Sequence, residues 1–195
     1  MNGEMGIGLY LAGYDRYRAT QYARRWANGR NQLFGDFSGV GGDCTNFVSQ
    51  AVFAGSCVMN YTYIFGWYFR SLEDRAPAWT GVEAFYDFMT GSGDFPPTSM
   101  REGPFGYEVG REGALLGDVV QLVNAEGDYY HTLIITGFSA DDILVCAHSV
   151  DSLDRPLSSY VDAVGERIIH IAGVMAPDDE PPESLGNCYE RIIGG

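Results

Sequence analysis

The sequence offers one cysteine and two histidines whose placement suits thiol chemistry. Cys44 lies in GGDCTNFVSQ, where a glycine-rich stretch gives way to a helical pattern. At a helix start the unpaired backbone N–H groups and the helix dipole favour a thiolate, the nucleophilic form of cysteine. His131 lies in YYHTLIITG and His148 in LVCAHSVD, two strand-like runs separated by the short turn SADD. If that turn is symmetric about Ala140 and Asp141, His131 faces Val150 and His148 faces Leu133. The two histidines then share one sheet face. His131 could take the proton of Cys44 while His148 holds the tautomer of its ring, the logic of a nucleophile, a base and an orienting group. A one-residue bulge would instead put them on opposite faces. Ser149 and Asp151 are close enough in sequence to compete for the orienting role.

Other polar residues have plainer readings. Asp43 is a natural N-cap for a helix starting at Cys44. Asp118 in GDVV reads as a turn residue before a strand, Gln50 as a polar residue on the helix exterior, and His170 as a strand residue without a partner.

Helices must place Cys44 and strands must place the histidines. A first helix is expected from about Tyr14 to Asn28, with Ala19, Tyr22, Ala23 and Trp26 on one face. A second begins at Cys44, with Phe47, Val48 and Ala51 facing the core and Gly55 at its end. The pattern TGVE predicts a third, Thr80 and Glu83 forming a capping box ahead of Val82, Phe85, Tyr86 and Met89. Trp67, Tyr68 and Phe69 read as packing in an aromatic loop. Residues 92–113 read as irregular. After Gly117 the period shifts to that of strands, expected at 118–123, 129–138, 143–149 and 166–174. Helices first and antiparallel strands after give an α+β fold in one domain over residues 1–195. Its core would span about residues 14–175, with 176–195 an acidic, proline-rich linker and a frayed RIIGG tail.

The bulk properties narrow the partners. The chain has 195 residues, 46% of them hydrophobic, and a formal charge of −14, with 12 arginines and no lysine. Such acidity argues against nucleic acid and anionic membrane surfaces. No run approaches the length of about 18 apolar residues that spans a bilayer, so no membrane insertion is expected. The first residues lack the basic region of a signal peptide. The chain is then either cytosolic as made or preceded by a leader that was removed. Cys44, Cys57, Cys146 and Cys188 show no CxxC, no dense even spacing and no zinc-site pattern. With Cys44 reserved as a working thiol, the other three read mostly as inert packing residues. No residue pattern sets an oligomeric state.

Taken together, YDRYRATQYARRWANGRN, GGDCTNFVSQAVFAG, GDVVQLV, YYHTLIITG and LVCAHSVD resemble the "Putative amidase domain" family over roughly residues 14–172. That family is distantly similar to NlpC-type cell-wall peptidases and CHAP amidases. The resemblance implies a papain-like, NlpC-type fold, with Cys44 as nucleophile, His131 as base and His148 at the orienting position. Tyr14, Asp15 and Trp26 match a helix signature read as structural. It implies an amide or peptide substrate, with peptidoglycan peptides as the class, no cofactor, and an extracellular or cell-wall setting. One departure is Phe34, where the family often carries a tyrosine hydroxyl. Two rivals use the same fold: acyl transfer through the same thiol, and a binding module without activity.

Overall fold

A computed structural model describes residues 8–179 and 182–194. The chain runs β1 (Leu9–Ala12), α1 (Arg16–Trp26), α2 (Cys44–Ser56), α3 (Pro77–Thr80), α4 (Val82–Thr90) and β2 (Gly103–Val109). It continues through β3 (Val119–Val123), β4 (Tyr129–Phe138), β5 (Ile143–Ala147), β6 (Ser152–Pro156), β7 (Gly165–Pro177) and α5 (Pro182–Ile193). The fold is α+β, five helices on one antiparallel sheet. The strand order is β1-β7-β3-β4-β5-β6, and β2 adds to the long strand β7.

Alternation along the strands divides the core in two. Val119, Ile134, Cys146, Ile169 and Ile171 point to the helices and pack with Phe47, Val48, Trp67, Trp79, Phe85 and Phe88. Val120, Leu122, Leu133, Ile135, Val145 and Ala147 form the core of the opposite face. The central helix α2 is buried along its whole length. Even its polar residues are enclosed and bonded: Gln50, expected on the exterior, accepts from the Tyr22 hydroxyl at 2.7 Å. The aromatic loop packs as expected, Trp67 lying against Trp79 and Phe88. Phe34 stacks on Trp79 inside this core.

Several local expectations need correction. Thr80 caps nothing; it ends α3, and α4 starts after Gly81 without a side-chain cap. Glu83 accepts from Arg167 instead. Part of the stretch read as irregular is β2, and β1 and β6 are further strands that alternation did not mark. Asp118 is fully buried, paired to Arg16 at 2.6 Å, and accepts from the Leu115 and Ile171 N–H groups. His170, expected to stand alone, lies 3.0 Å from Asp118. These contacts tie α1 to β3 and β7. In the described part of the segment expected to be linker and tail, α5 forms, and its Cys188 and Ile192 join the helical core; residues 180, 181 and 195 lie outside the described residues. Cys57 and Cys188 form a disulfide, so two of the three cysteines read as inert packing are bonded to each other.

Candidate active site

α2 begins abruptly because the chain before it is fastened from several sides. Gly41 and Gly42 adopt φ of 84° and 108°, a left-handed conformation that side chains rarely take. A Cβ on Gly42 would also crowd the Ser149 hydroxyl at 3.3 Å. The Asp43 N–H donates to Ser149 Oγ at 3.0 Å. The fully buried Asp43 carboxylate does not cap the helix, as expected of it, but receives donors from three directions. The Phe37 N–H reaches it at 3.0 Å, Asn46 Nδ2 at 2.8 Å and His148 Nδ1 at 2.6 Å. Arg30 Nε lies 3.3 Å away, close enough for attraction although too poorly aligned for a hydrogen bond.

This frame sets Cys44 as the first residue of α2, at the wall of a cavity of about 540 Å³. The cavity lies where β4 begins, β5 ends and the chain beyond β6 folds over. His131, near the start of β4, lines it too, with Gly41, Gly42, Ser149, Tyr130, Arg155, Tyr160 and Asp162. The structure therefore brings Cys44 and His131 to one cavity. The sulfur's hydrogen-bond contact is Thr45 Oγ1 at 3.9 Å, and among the described residues none forms to His131. The His131 ring neighbours the aromatic rings of Tyr130, with centroids 6.1 Å apart, and Tyr160, at 5.9 Å. Burial, and secondarily the nearby Arg155 charge, push its pKa down to about 4. The imidazole is thus neutral at ordinary pH and able to accept a proton.

His148 is not part of this pair. Near the turn the hairpin follows the symmetric register, Phe138 opposite Ile143 and Gly137 opposite Leu144. A bulge at Thr136 then slips it, so that Ile135 meets Val145 and Ile134 meets Cys146. Two contacts draw Thr136 out of the ladder: its carbonyl accepts from Arg24 at 2.7 Å, and its hydroxyl donates to Asp154 at 2.7 Å. With a side-chain period of two, one residue of slip moves His148 to the helix face. There it is 1% exposed and stacks on Phe47, ring centroids 3.9 Å apart. Its nitrogens meet Asp43 and, at 2.9 Å, the Trp26 carbonyl. The expected contact with His131 is not made. Of the two competitors for the orienting role, Ser149 binds the Asp43 backbone and Asp151 pairs with Arg30 at 2.9 Å.

Sequence reasoning missed Tyr130, Arg155, Tyr160 and Asp162. Arg155 and Asp162 follow no motif, and only the path of the chain after β6 carries them to the cavity. No cluster of three or more potential metal-ligating side chains occurs among the described residues. None of their helices is long and apolar enough to cross a membrane.

The sequence matches the family described as "Putative amidase domain" over residues 13–171. The chain belongs to that family. Among curated proteins it is similar to two uncharacterized Bacillus subtilis (strain 168) proteins. It is 28% identical to YjcM over 75% of this chain and 33% of YjcM. It is 28% identical to YhbB over 81% of this chain and 50% of YhbB. The chain thus spans about a third and a half of the lengths of these relatives. No solved structure matches it.

Proposed function

We propose that this domain is a cysteine amidohydrolase of papain-like architecture, akin to NlpC-type and CHAP enzymes. The observation that carries the reading is the meeting of Cys44, at the helix start, with a neutral His131 in one cavity. In the resting state the histidine carries no charge. As the sulfur attacks the amide carbonyl, His131 takes the thiol proton and then delivers it to the leaving amine. The acyl group stays on Cys44 as a thioester until water, activated by the same imidazole, releases the acid. The Cys44 N–H, in the first turn of α2 with no intrahelical partner, is placed to donate to the oxyanion. The Asp43 N–H is already committed to Ser149 and leaves that role to others.

The aromatic rings of Tyr130 and Tyr160 limit how the imidazole can turn, the task first given to His148. His148 and Asp43 act instead on the nucleophile's backbone. Ser149, Ser159, Arg155 and Asp162 add polar groups to a cavity wall otherwise built from Tyr130, Val150, Tyr160 and Val161, so acyl transfer through the same thiol remains the rival that product analysis must separate. Peptide amides are the substrate class, with the peptides of peptidoglycan as the candidate that the family resemblance supplies. The Cys57–Cys188 disulfide suits an oxidising setting such as the cell surface. The test is digestion of purified peptidoglycan beside a panel of small amides, with products identified by mass spectrometry. Turnover lost in Cys44→Ala and His131→Ala supports the reading. Turnover that survives Cys44→Ala, or no turnover of any amide by a protein with reactive Cys44, sinks it.

A further inference from the structure

Arg155 is a charged group at the candidate active site that the proposed reaction does not use. Its guanidinium is held in place from one side. Nε donates to Ser159 Oγ at 2.7 Å and Nη2 to the Ser159 carbonyl at 3.0 Å. The plane lies over the Tyr160 ring at 4.0 Å, a cation–π contact that fixes its tilt. Nη1 makes no hydrogen bond, and the group has no carboxylate partner, among the described residues. This differs from Arg16, Arg24, Arg30, Arg111 and Arg167, each of which pairs with an acid. Arg155 lines the same cavity as Cys44 and His131. In a chain of net charge −14, this part-buried cation at the cavity gives an anionic ligand a local attraction that the rest of the surface does not.

We propose that Arg155 is the substrate-binding residue for a carboxylate, so that the preferred amide carries a free carboxylate next to the bond to be cleaved. The inference rests on Cys44 being the nucleophile of the cavity. A carboxylate fits better than a phosphate. The guanidinium edge formed by Nη1 and the remaining N–H of Nη2 matches its flat two-oxygen edge, and Asp162 in the same cavity disfavours a dianion. The exposed Val150 and Val161 on the rim would meet an apolar portion of such a substrate. The carboxylate has two sources, the C-terminus of the leaving amino acid or a group on the acyl side.

Two alkylating reagents test this without needing turnover. Iodoacetate carries the carboxylate and iodoacetamide is its neutral counterpart. Both are applied to the whole chain, and labelling of Cys44 is read by peptide mass spectrometry. One charge-assisted hydrogen bond predicts an iodoacetate-to-iodoacetamide rate ratio roughly ten- to a hundredfold above that of the same cysteine in the urea-unfolded chain. Arg155→Gln should bring the ratio down to the unfolded value, and Arg155→Lys should keep part of it. Cys146, fully buried and away from the cavity that Cys44 lines at 7% exposure, reports whether each variant is folded, because it should label only on unfolding. A native ratio no higher than the unfolded one overturns the proposal, as does a raised ratio that persists in folded Arg155→Gln.

A second arm uses amide pairs that differ by carboxylate against carboxamide, placed on the leaving side in one pair and the acyl side in the other. Here kcat/KM should favour the acid about tenfold or more in one pair, and that preference should vanish in Arg155→Gln. Turnover with no preference in either pair overturns the carboxylate assignment while leaving the amidase reading intact. A raised iodoacetate ratio in a protein that cleaves no amide supports the carboxylate site and sinks the amidase reading.

Discussion

Removing the Asp43 carboxylate should weaken the whole domain, because no solvent stands ready to replace it. The group is fully buried and accepts hydrogen bonds from Phe37, Asn46 and His148 at 2.6–3.0 Å. A hydrogen bond to a charged group contributes about 1.5–3 kcal/mol, and orphaned buried donors cost about 1–3 kcal/mol. These terms overlap, so Asp43→Ala should lose about 3–5 kcal/mol, the range for breaking a buried ion pair from one side. With a urea slope of about 2 kcal/mol per molar, the unfolding midpoint drops by roughly 1.5–2.5 M. His148→Phe keeps the ring against Phe47 and removes only the polar partner. Because the two side chains share one hydrogen bond, the double variant should be less damaged than the sum of the singles, by about 1–3 kcal/mol. The assay is equilibrium urea unfolding of wild type, both singles and the double. A loss under about 1 kcal/mol in Asp43→Ala, or strict additivity, would refute this account of the loop that presents Cys44.

Four further outcomes are expected. Cys188→Ser opens a crosslink between residues 131 apart, and loop entropy sets its cost at about 3–5 kcal/mol, read as a lower urea midpoint than wild type under oxidising conditions. His131 has a folded pKa of about 4 against an ordinary 6.5, so the unfolded chain takes up the proton first as pH falls. Stability tied to this group is full above about pH 6.5 and is lost as pH falls to about 4, by roughly 3 kcal/mol, measurable as a pH series of urea midpoints. The acid limb of kcat/KM should lie near pH 4 and move upward in Arg155→Gln; a limb near 6.5 in wild type would contradict the neutral-base reading. Cys44 should alkylate in the native protein while Cys146, fully buried with its thiol pKa raised by burial, stays unlabelled; equal labelling would count against the cavity.

The sequence was legible where period and chemistry agree locally. The start of α2 at Cys44, the body of α1 and strands β3, β4, β5 and β7 follow from patterns a few residues wide, while the choice of Cys44 and His131, which line one cavity, rests on the family resemblance. The misreadings share a cause: they depend on partners far along the chain. His148 changes face because Arg24 and Asp154 draw Thr136 out of the ladder, contacts spanning 112 and 18 residues. Asp43 has the residue type and place of an N-cap, yet His148, 105 residues on, offers a better donor. β2 is broken by glycine and proline and becomes a strand because β7 is long enough to pair with it. α5 follows an acidic, proline-rich stretch, and its docking is secured by a disulfide that no local spacing announced. Arg155 reaches the cavity through the turn after β6, a path with no signature in sequence.

The central claim is that Cys44 becomes acylated and His131 makes that possible. The direct measurement is mass spectrometry of the arginine-bounded peptide containing Cys44 after rapid acid quenching of the enzyme with an activated amide substrate. The account predicts an acyl adduct on Cys44 in wild type that is absent in Cys44→Ala and strongly reduced in His131→Ala. Turnover of the same substrate by Cys44→Ala at the wild-type rate, with no adduct on Cys44 in either protein, would contradict it.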